Sequence, residues 1–276
     1  MENLFVDKFY EYPKICCFMN GIITLSLVPL RAKDNECSEM TSQLLFGETV
    51  EILKSKERWL YVRNHSDNYC GWVDKKMISL LPENGEKNHN DIENFRILKP
   101  VSFCRNLTKG NTFPLPGGSI LRNYQNGNFT DGTYQYAIHP SDAGMPQPLT
   151  GNNIVSLARQ YLSSPYLWGG KSALGIDCSG LVQVVFSLCG IMLPRNASQQ
   201  AEIGEEINSL ALAHTGDLAF FANAENHIIH VGILMNAHQI IHASGWVKIE
   251  KIDEHGIISE QTGNYSHKLH SIKRMI

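Results

Sequence analysis

The tetrapeptide Asp177-Cys178-Ser179-Gly180 opens an apolar run in which Leu181, Val182, Val185, Phe186 and Cys189 recur at helical spacing. That spacing predicts a helix with one buried face and Cys178 at or just before its first turn. The free N–H groups and the positive dipole end found there favour a thiolate, the form of cysteine that attacks carbonyls. The bland alternative is a small core cysteine. A second chemical signal lies downstream, where residues 228–235 (IIHVGILM) and 239–244 (QIIHAS) read as antiparallel strands. A three-residue loop at 236–238 sets Leu234 beside Ile240 and Gly232 beside His242. His230 then becomes a diagonal neighbour of His242 on the same sheet face, a facing that one residue more or less in the loop breaks. Cysteine, histidine and a third polar group are what a thiol hydrolase needs. One imidazole takes the thiol proton and later protonates the leaving amine, while the third group holds that imidazole in its tautomer.

The elements that must position these groups begin near Thr150. Asn152 or Asn153 is placed to cap a helix over 154–162, which Pro165 ends. Tyr166-Leu167-Trp168-Gly169-Gly170 forms a loop, Gly190 closes the Cys178 helix, and Asn196 caps a short helix over 198–203. Strands follow over 217–221, 228–235, 239–244, 247–252 and 268–273. Helices first and an antiparallel sheet after them make an α+β layout for residues 149–276. Upstream, alternating segments over 21–32, 43–56, 58–65 and 69–78 are broken by Gly, Asn and Asp, as in a small barrel. That barrel takes residues 1–85, with Trp59 in its core. The stretch 81–91 is polar and breaker-rich, a linker. Short strands over 92–145 predict a second, divergent barrel within 86–148, and 139–148 forms a second linker.

The 276 residues suffice for two or three domains, and 43% hydrophobic against 18% charged is a globular profile. Twenty-four Lys and Arg against 27 Asp and Glu give a net charge of −3, and no basic run marks a nucleic-acid surface. Residues 15–30 resemble a signal core in hydropathy. Asn20, Gly21, Ser26 and Pro29 interrupt them, however, and Glu2, Asp7 and Glu11 precede them, so paired strands are the better reading. No stretch is long and apolar enough to predict a membrane span. The seven cysteines (Cys16, Cys17, Cys37, Cys70, Cys104, Cys178 and Cys189) form neither a disulfide framework nor a zinc knuckle. Free thiols fit a reducing compartment, so a cytoplasmic protein is expected. The alternative is a periplasmic or secreted one if a leader precedes the chain. With no heptad or large repeat visible the sequence leaves the oligomeric state open, and a monomer is the expectation.

GIDCSGLVQVVF, HVGIL and IIHASG resemble, in order, the three motifs of NlpC-type cell-wall cysteine peptidases. YLWGGKS, LPRNASQQAEIGEEI and TGDLAFF extend the likeness over about residues 150 to 276. The Leu45-Phe46-Gly47-Glu48 turn, the Trp59 strand and Gly71-Trp72-Val73 resemble bacterial Src-homology-three-like domains. The resemblance implies two small all-β barrels of that type followed by a papain-like α+β peptidase domain. It makes Cys178 the nucleophile, His230 the general base and His242 the orienting third member. Tyr166 can donate to the oxyanion beside the Cys178 N–H; a purely structural tyrosine is the alternative, and the resemblance favours the former. A carboxylate at Asp177 raises the thiol pKa unless a cation offsets it. In relatives that attack short wall peptides, an aspartate there binds the substrate ammonium, and Ser179 can add a hydrogen bond. By the same likeness, Glu39 and Tyr69 of the first barrel close the amine end of the pocket; solvated loop side chains are the plain alternative.

The implied partners are murein-derived peptides of the form L-Ala-γ-D-Glu-diamino acid, cut at the γ-D-glutamyl bond without a cofactor. An acyl- or amidotransferase on the same scaffold and a non-catalytic murein-binding protein are the rival readings. No metal is expected. His227 and His230 fall on opposite faces of one strand, and the His238/His242 spacing lacks the Glu of a zinc helix. A zinc site at Cys178, His230 and His242 is chemically possible but competes with their assignment to catalysis. His214, His255, His267 and His270 read as surface residues.

Overall fold

The structure, a computed structural model, describes residues 19–81 and 95–275. Cys16, Cys17, the 82–91 part of the first linker and the boundary between residues 85 and 86 lie outside the described residues.

Seven strands make the first unit: Met19–Ile22, Leu27–Arg31, Met40–Leu45, Thr49–Ser55, Trp59–Asn64, Cys70–Asp74 and Ser79–Leu80. Alternation turns Val28, Leu30, Leu60 and Val62 into a common core. Trp59 is a correction to the expected core. It lies on the face opposite Leu60, half-buried, with the Arg58 guanidinium 5.9 Å from its ring centre. The strands Met19–Ile22 and Leu27–Arg31 exist but do not pair with each other. The first joins Thr49–Ser55 and the second joins Met40–Leu45.

Residues 95–144 form two small antiparallel sheets of four and three strands around Ile97, Leu115, Phe129 and Tyr136. Phe46, at the tip of a turn in the first unit, completes this core edge-on to Phe129 and Tyr136. The expected linker over 139–148 is partly built into the sheet, because Ala143–Gly144 pairs with Phe95–Ile97.

The third unit carries helices α1 (Gly151–Arg159), α2 (Cys178–Ser187) and α3 (Ala197–Gln200). The cap of α1 is Thr150 rather than Asn152 or Asn153; its hydroxyl accepts the Asn153 N–H at 3.3 Å. The strands Tyr265–Arg274, Leu218–Ala222, Ile228–Asn236, Gln239–Ser244, Trp246–Asp253 and Gly256–Ile258 follow one another across a sheet. Gly256–Ile258, in no expected element, pairs back onto Tyr265–Arg274, so these six strands close into a barrel. One barrel face packs Val231, Ile233 and Ile241 against α1 and α2, and the other gathers Phe221, Leu234, Ile240 and Ile252. All ten residues of α2 are buried, not one face as its pattern predicts. The outer side is covered by the other units: Gln183 donates to Asp67 at 3.0 Å, and Val184 and Ser187 lie beside Gly118. Among the described residues no helix is long and apolar enough to cross a membrane.

The strand Met40–Leu45 docks the first unit onto the third. Gln43 accepts the Lys171 N–H at 2.7 Å, and the buried Lys171 ammonium reaches Glu48 at 3.3 Å. Gly169, at φ +78°, lies so close to the Met40 carbonyl that a Cβ would come within 2.4 Å of its oxygen. Removing one partner of a buried ion pair strands the other charge. Lys171→Met is therefore expected to destabilise the protein by about 3 kcal/mol in denaturant unfolding. Adding Glu48→Leu should recover most of that loss; an additive double variant would contradict the pairing.

Candidate active site

Cys178 begins α2, and the residue before it builds the helix mouth. Asp177 is the N-cap: its Oδ1 accepts the Gly180 N–H at 2.7 Å. Its Oδ2 accepts the Gly169 N–H at 2.8 Å, tying the preceding loop to the helix. The buried Arg195 guanidinium spans both carboxylate oxygens, donates to Ser179 Oγ at 2.7 Å, and reaches Ser42 of the first unit at 3.0 Å. The Asp177 charge is thus already balanced inside the protein. Asp177 therefore anchors the helix mouth.

Asp177, Cys178, Ser179, Glu39 and Tyr69 nonetheless line one cleft, of about 490 Å³, together with Trp168, Arg195, Ile228 and Ile229. The acid that remains exposed there is Glu39. The Trp168 indole N–H donates to its Oε1 at 2.7 Å, bridging the first unit and the loop before α2. Tyr166 is half-buried, and its backbone N–H donates to Gly245 at 2.9 Å. Burial first, then the proximity of Cys178 and Asp177, raises its phenol well above the ordinary value, so it stays a neutral donor.

The histidine strands pair as expected, Gly232 with His242 and Leu234 with Ile240, although the connection differs. The strand runs on to Asn236, which pairs with Gln239, leaving a two-residue turn. A register irregularity between Leu234 and Asn236 takes up the difference and restores the facing. His230 Nε2 lies 2.9 Å from His242 Nδ1, and His242 Nε2 lies 2.9 Å from Glu250 Oε2. Gly232 leaves space for the neighbouring strand, since a Cβ there would come within 2.7 Å of the Ile240 Cδ1 and 2.9 Å of the His242 Cβ.

Burial pushes the Cys178 thiol up to about 11, and Asp177 adds to the rise. The N–H groups of Val231 and Ser179, with Arg195, pull the other way. Because Val231 follows His230, that contact sets the sulfur against the histidine strand. Burial, then His267, His242 and Lys248, holds His230 well below the usual imidazole value. Burial also lowers His242, against the pull of Glu250. Burial thus opposes the charged form of both groups, the Cys178 thiolate as well as the His230 imidazolium.

Four residues of the site escaped sequence reasoning. Glu250 shares the inward face of its strand with Ile252, and extending the hairpin register by one strand would have exposed it. His267 is not a plain surface residue: its ring stacks on His230 with centres 4.1 Å apart. Arg195 and Trp168 sat in motifs already noted, but their partners lie 18 and 129 residues away in the chain.

Comparison with known proteins places these features in context. Residues 163–266 match the model of the NlpC/P60 family, and residues 30–78 match the bacterial dipeptidyl-peptidase Sh3 domain. A γ-D-glutamyl-L-lysine dipeptidyl-peptidase of Bacillus subtilis is 30% identical over 218 residues, covering 73% of this chain and 71% of its own. Dipeptidyl-peptidase 6 of Lysinibacillus sphaericus is 26% identical over 258 residues, 86% of this chain and 93% of its own. The crystal structure of an NlpC/P60 family protein from Bacillus cereus superposes with a TM-score of 0.80 at 17% identity, covering 92% of this chain and 99% of that one.

The histidine cluster has a consequence for stability. Burial lowers His267 to about 4 from an ordinary 6.5. Below 6.5 the unfolded chain binds the proton and the folded one does not, so stability present above 6.5 is lost as pH falls towards 4. The drop in thermal midpoint between pH 7.5 and about 4.5 should shrink in His267→Phe, which keeps a stacking ring. An unchanged drop would contradict the buried, neutral state of His267.

Proposed function

The chain belongs to the NlpC/P60 family and is a cysteine peptidase, and from that premise we propose that it hydrolyses the γ-D-glutamyl–diamino acid bond of murein peptides bearing a free L-Ala amino terminus. Its N-terminal unit is an SH3-like domain and its C-terminal unit is papain-like. We read residues 95–144 as a second, divergent barrel of the first type, on the strength of their short antiparallel strands around an aromatic core.

The observation that carries the substrate assignment is the cleft itself: Cys178 and the exposed Glu39 of the barrel line the same recess. An acid fixed at one end of a short cleft selects a free ammonium at a set distance from the nucleophile. The barrel behind Glu39 is a wall that excludes longer chains, a form of specificity that needs no added attraction. Relatives named γ-D-glutamyl-L-lysine dipeptidyl-peptidase support the same substrate class.

In this mechanism His230 removes the Cys178 proton as the substrate carbonyl arrives. The thiolate attacks the γ-carbonyl, and the Cys178 N–H and the Tyr166 phenol hold the oxyanion. The proton on His230 passes to the departing diamino acid amine. Water, deprotonated by His230, then frees L-Ala-D-Glu from the thioester. Glu39 binds the ammonium with Tyr69 beside it, and Ser179 stays bound to Arg195 at the helix mouth. A cytoplasmic site of action goes with this proposal: the described cysteines Cys37, Cys70, Cys104, Cys178 and Cys189 are free thiols.

Turnover of L-Ala-γ-D-Glu-L-Lys should give L-Ala-D-Glu and lysine. Acetylating the amino terminus should lower kcat/KM by roughly 10²-fold, because it removes a charge pair. Glu39→Gln should cost a similar factor with the free peptide and almost none with the acetylated one. Equal rates on both peptides with the native enzyme would sink the amine assignment.

A further inference from the structure

The line of side chains behind the thiol does not end at the second imidazole. Glu250 Oε2 sits 2.9 Å from His242 Nε2, and both groups are buried. The other carboxylate oxygen accepts the Glu260 N–H at 3.0 Å and lies 3.3 Å from the Lys248 ammonium. An ionised carboxylate only accepts hydrogen bonds. His242 must therefore carry its proton on Nε2, which leaves Nδ1 as its acceptor. The contact at 2.9 Å from His242 Nδ1 is His230 Nε2, so His230 must carry its proton there. Burial favours the neutral form of both rings; each then has one N–H, and the nitrogen left bare on the first ring is Nδ1.

We propose that Glu250 is a positioning residue that fixes the tautomers of both histidines and so keeps Nδ1 of His230 free to receive the Cys178 proton. The inference rests on His230 acting as the base in the peptidase reading. A histidine alone in the third place binds the first ring equally well in either direction, since it can give or take a proton at Nδ1. The acid behind it removes that ambiguity. The ionised state of Glu250 follows from its surroundings. Burial acts to raise its pKa, but the bonds from His242 and Glu260 and the neighbouring Lys248 outweigh it and hold the group at about 2. When His230 takes the thiol proton, the resulting imidazolium donates through Nε2 to a ring polarised by a full negative charge. The His267 ring stacks on His230 with centres 4.1 Å apart and is itself lowered to about 4 by burial.

The test is nitrogen-15 NMR of histidine-labelled native enzyme and Glu250→Gln, with kcat and KM measured on L-Ala-γ-D-Glu-L-Lys. The native enzyme should show the Nε2–H form for both His230 and His242. Glu250→Gln should populate Nδ1–H on at least one ring and lose about 10²-fold or more in kcat with KM within about twofold. Glu250→Asp should restore part of kcat together with the native tautomers. A folded Glu250→Gln that keeps native tautomers and kcat overturns the inference. If that variant does not fold, the native spectrum decides, because Nδ1–H on either ring overturns it equally. Native tautomers in an enzyme that fails to cleave the tripeptide would instead count against the peptidase reading and leave the tautomer lock standing.

Discussion

The buried ion pair between Asp177 and Arg195 is the interaction on which the arrangement depends. Asp177 caps the nucleophile helix and holds the preceding loop through Gly169, while Arg195 adds Ser179 and reaches Ser42 across the domain boundary. Neither charge has an alternative partner in water, since both side chains are buried. Buried pairs contribute little net stability, yet breaking one is costly because the survivor stays desolvated. The pair therefore acts mainly as a geometric lock. It sets the helix mouth, the loop carrying Trp168 and the barrel strand next to Glu39 in one frame, which fixes the length of the cleft.

The electrostatics of the site follow from the same burial. A thiol enclosed by an all-buried helix and a neighbouring carboxylate resists ionisation, and an imidazole enclosed by two others resists protonation. Each group alone is a poor reagent at neutral pH. Proton transfer from one to the other creates two charges that stabilise each other in a low dielectric, with backbone N–H groups and Arg195 beside the sulfur and the His242–Glu250 line behind the ring. In the proposed mechanism that charged pair forms as a carbonyl arrives to accept the new thiolate.

What sequence made legible was local. Cys178 declared itself through its place at the head of a helically spaced apolar run, and the histidine facing came from alternation within one hairpin. The two-residue turn and its compensating irregularity were invisible, yet the burial of one sheet face preserved the register they were needed for. Contacts set by barrel closure or domain docking left no local trace. Glu250 looks like any alternating charge until the strand Trp246–Asp253 is paired, and His267 approaches His230 only once the strand Leu218–Ala222 pairs with the strands of both. The pairing of Asp177 with Arg195 was invisible for the same reason, since the two lie 18 residues apart in the chain. The α2 pattern predicted one buried face because the docked units that cover the rest cannot be seen from within the helix.

In the proposed mechanism one sulfur carries the acyl group between two chemical steps. Rapid acid quench of enzyme mixed with L-Ala-γ-D-Glu-L-Lys, followed by intact mass measurement and peptide mapping, reads that directly. An L-Ala-γ-D-glutamyl adduct on Cys178 is expected, appearing as lysine is released and decaying as the dipeptide accumulates. Cleavage of the tripeptide with no adduct at any quench time, persisting in Cys178→Ala, would contradict it.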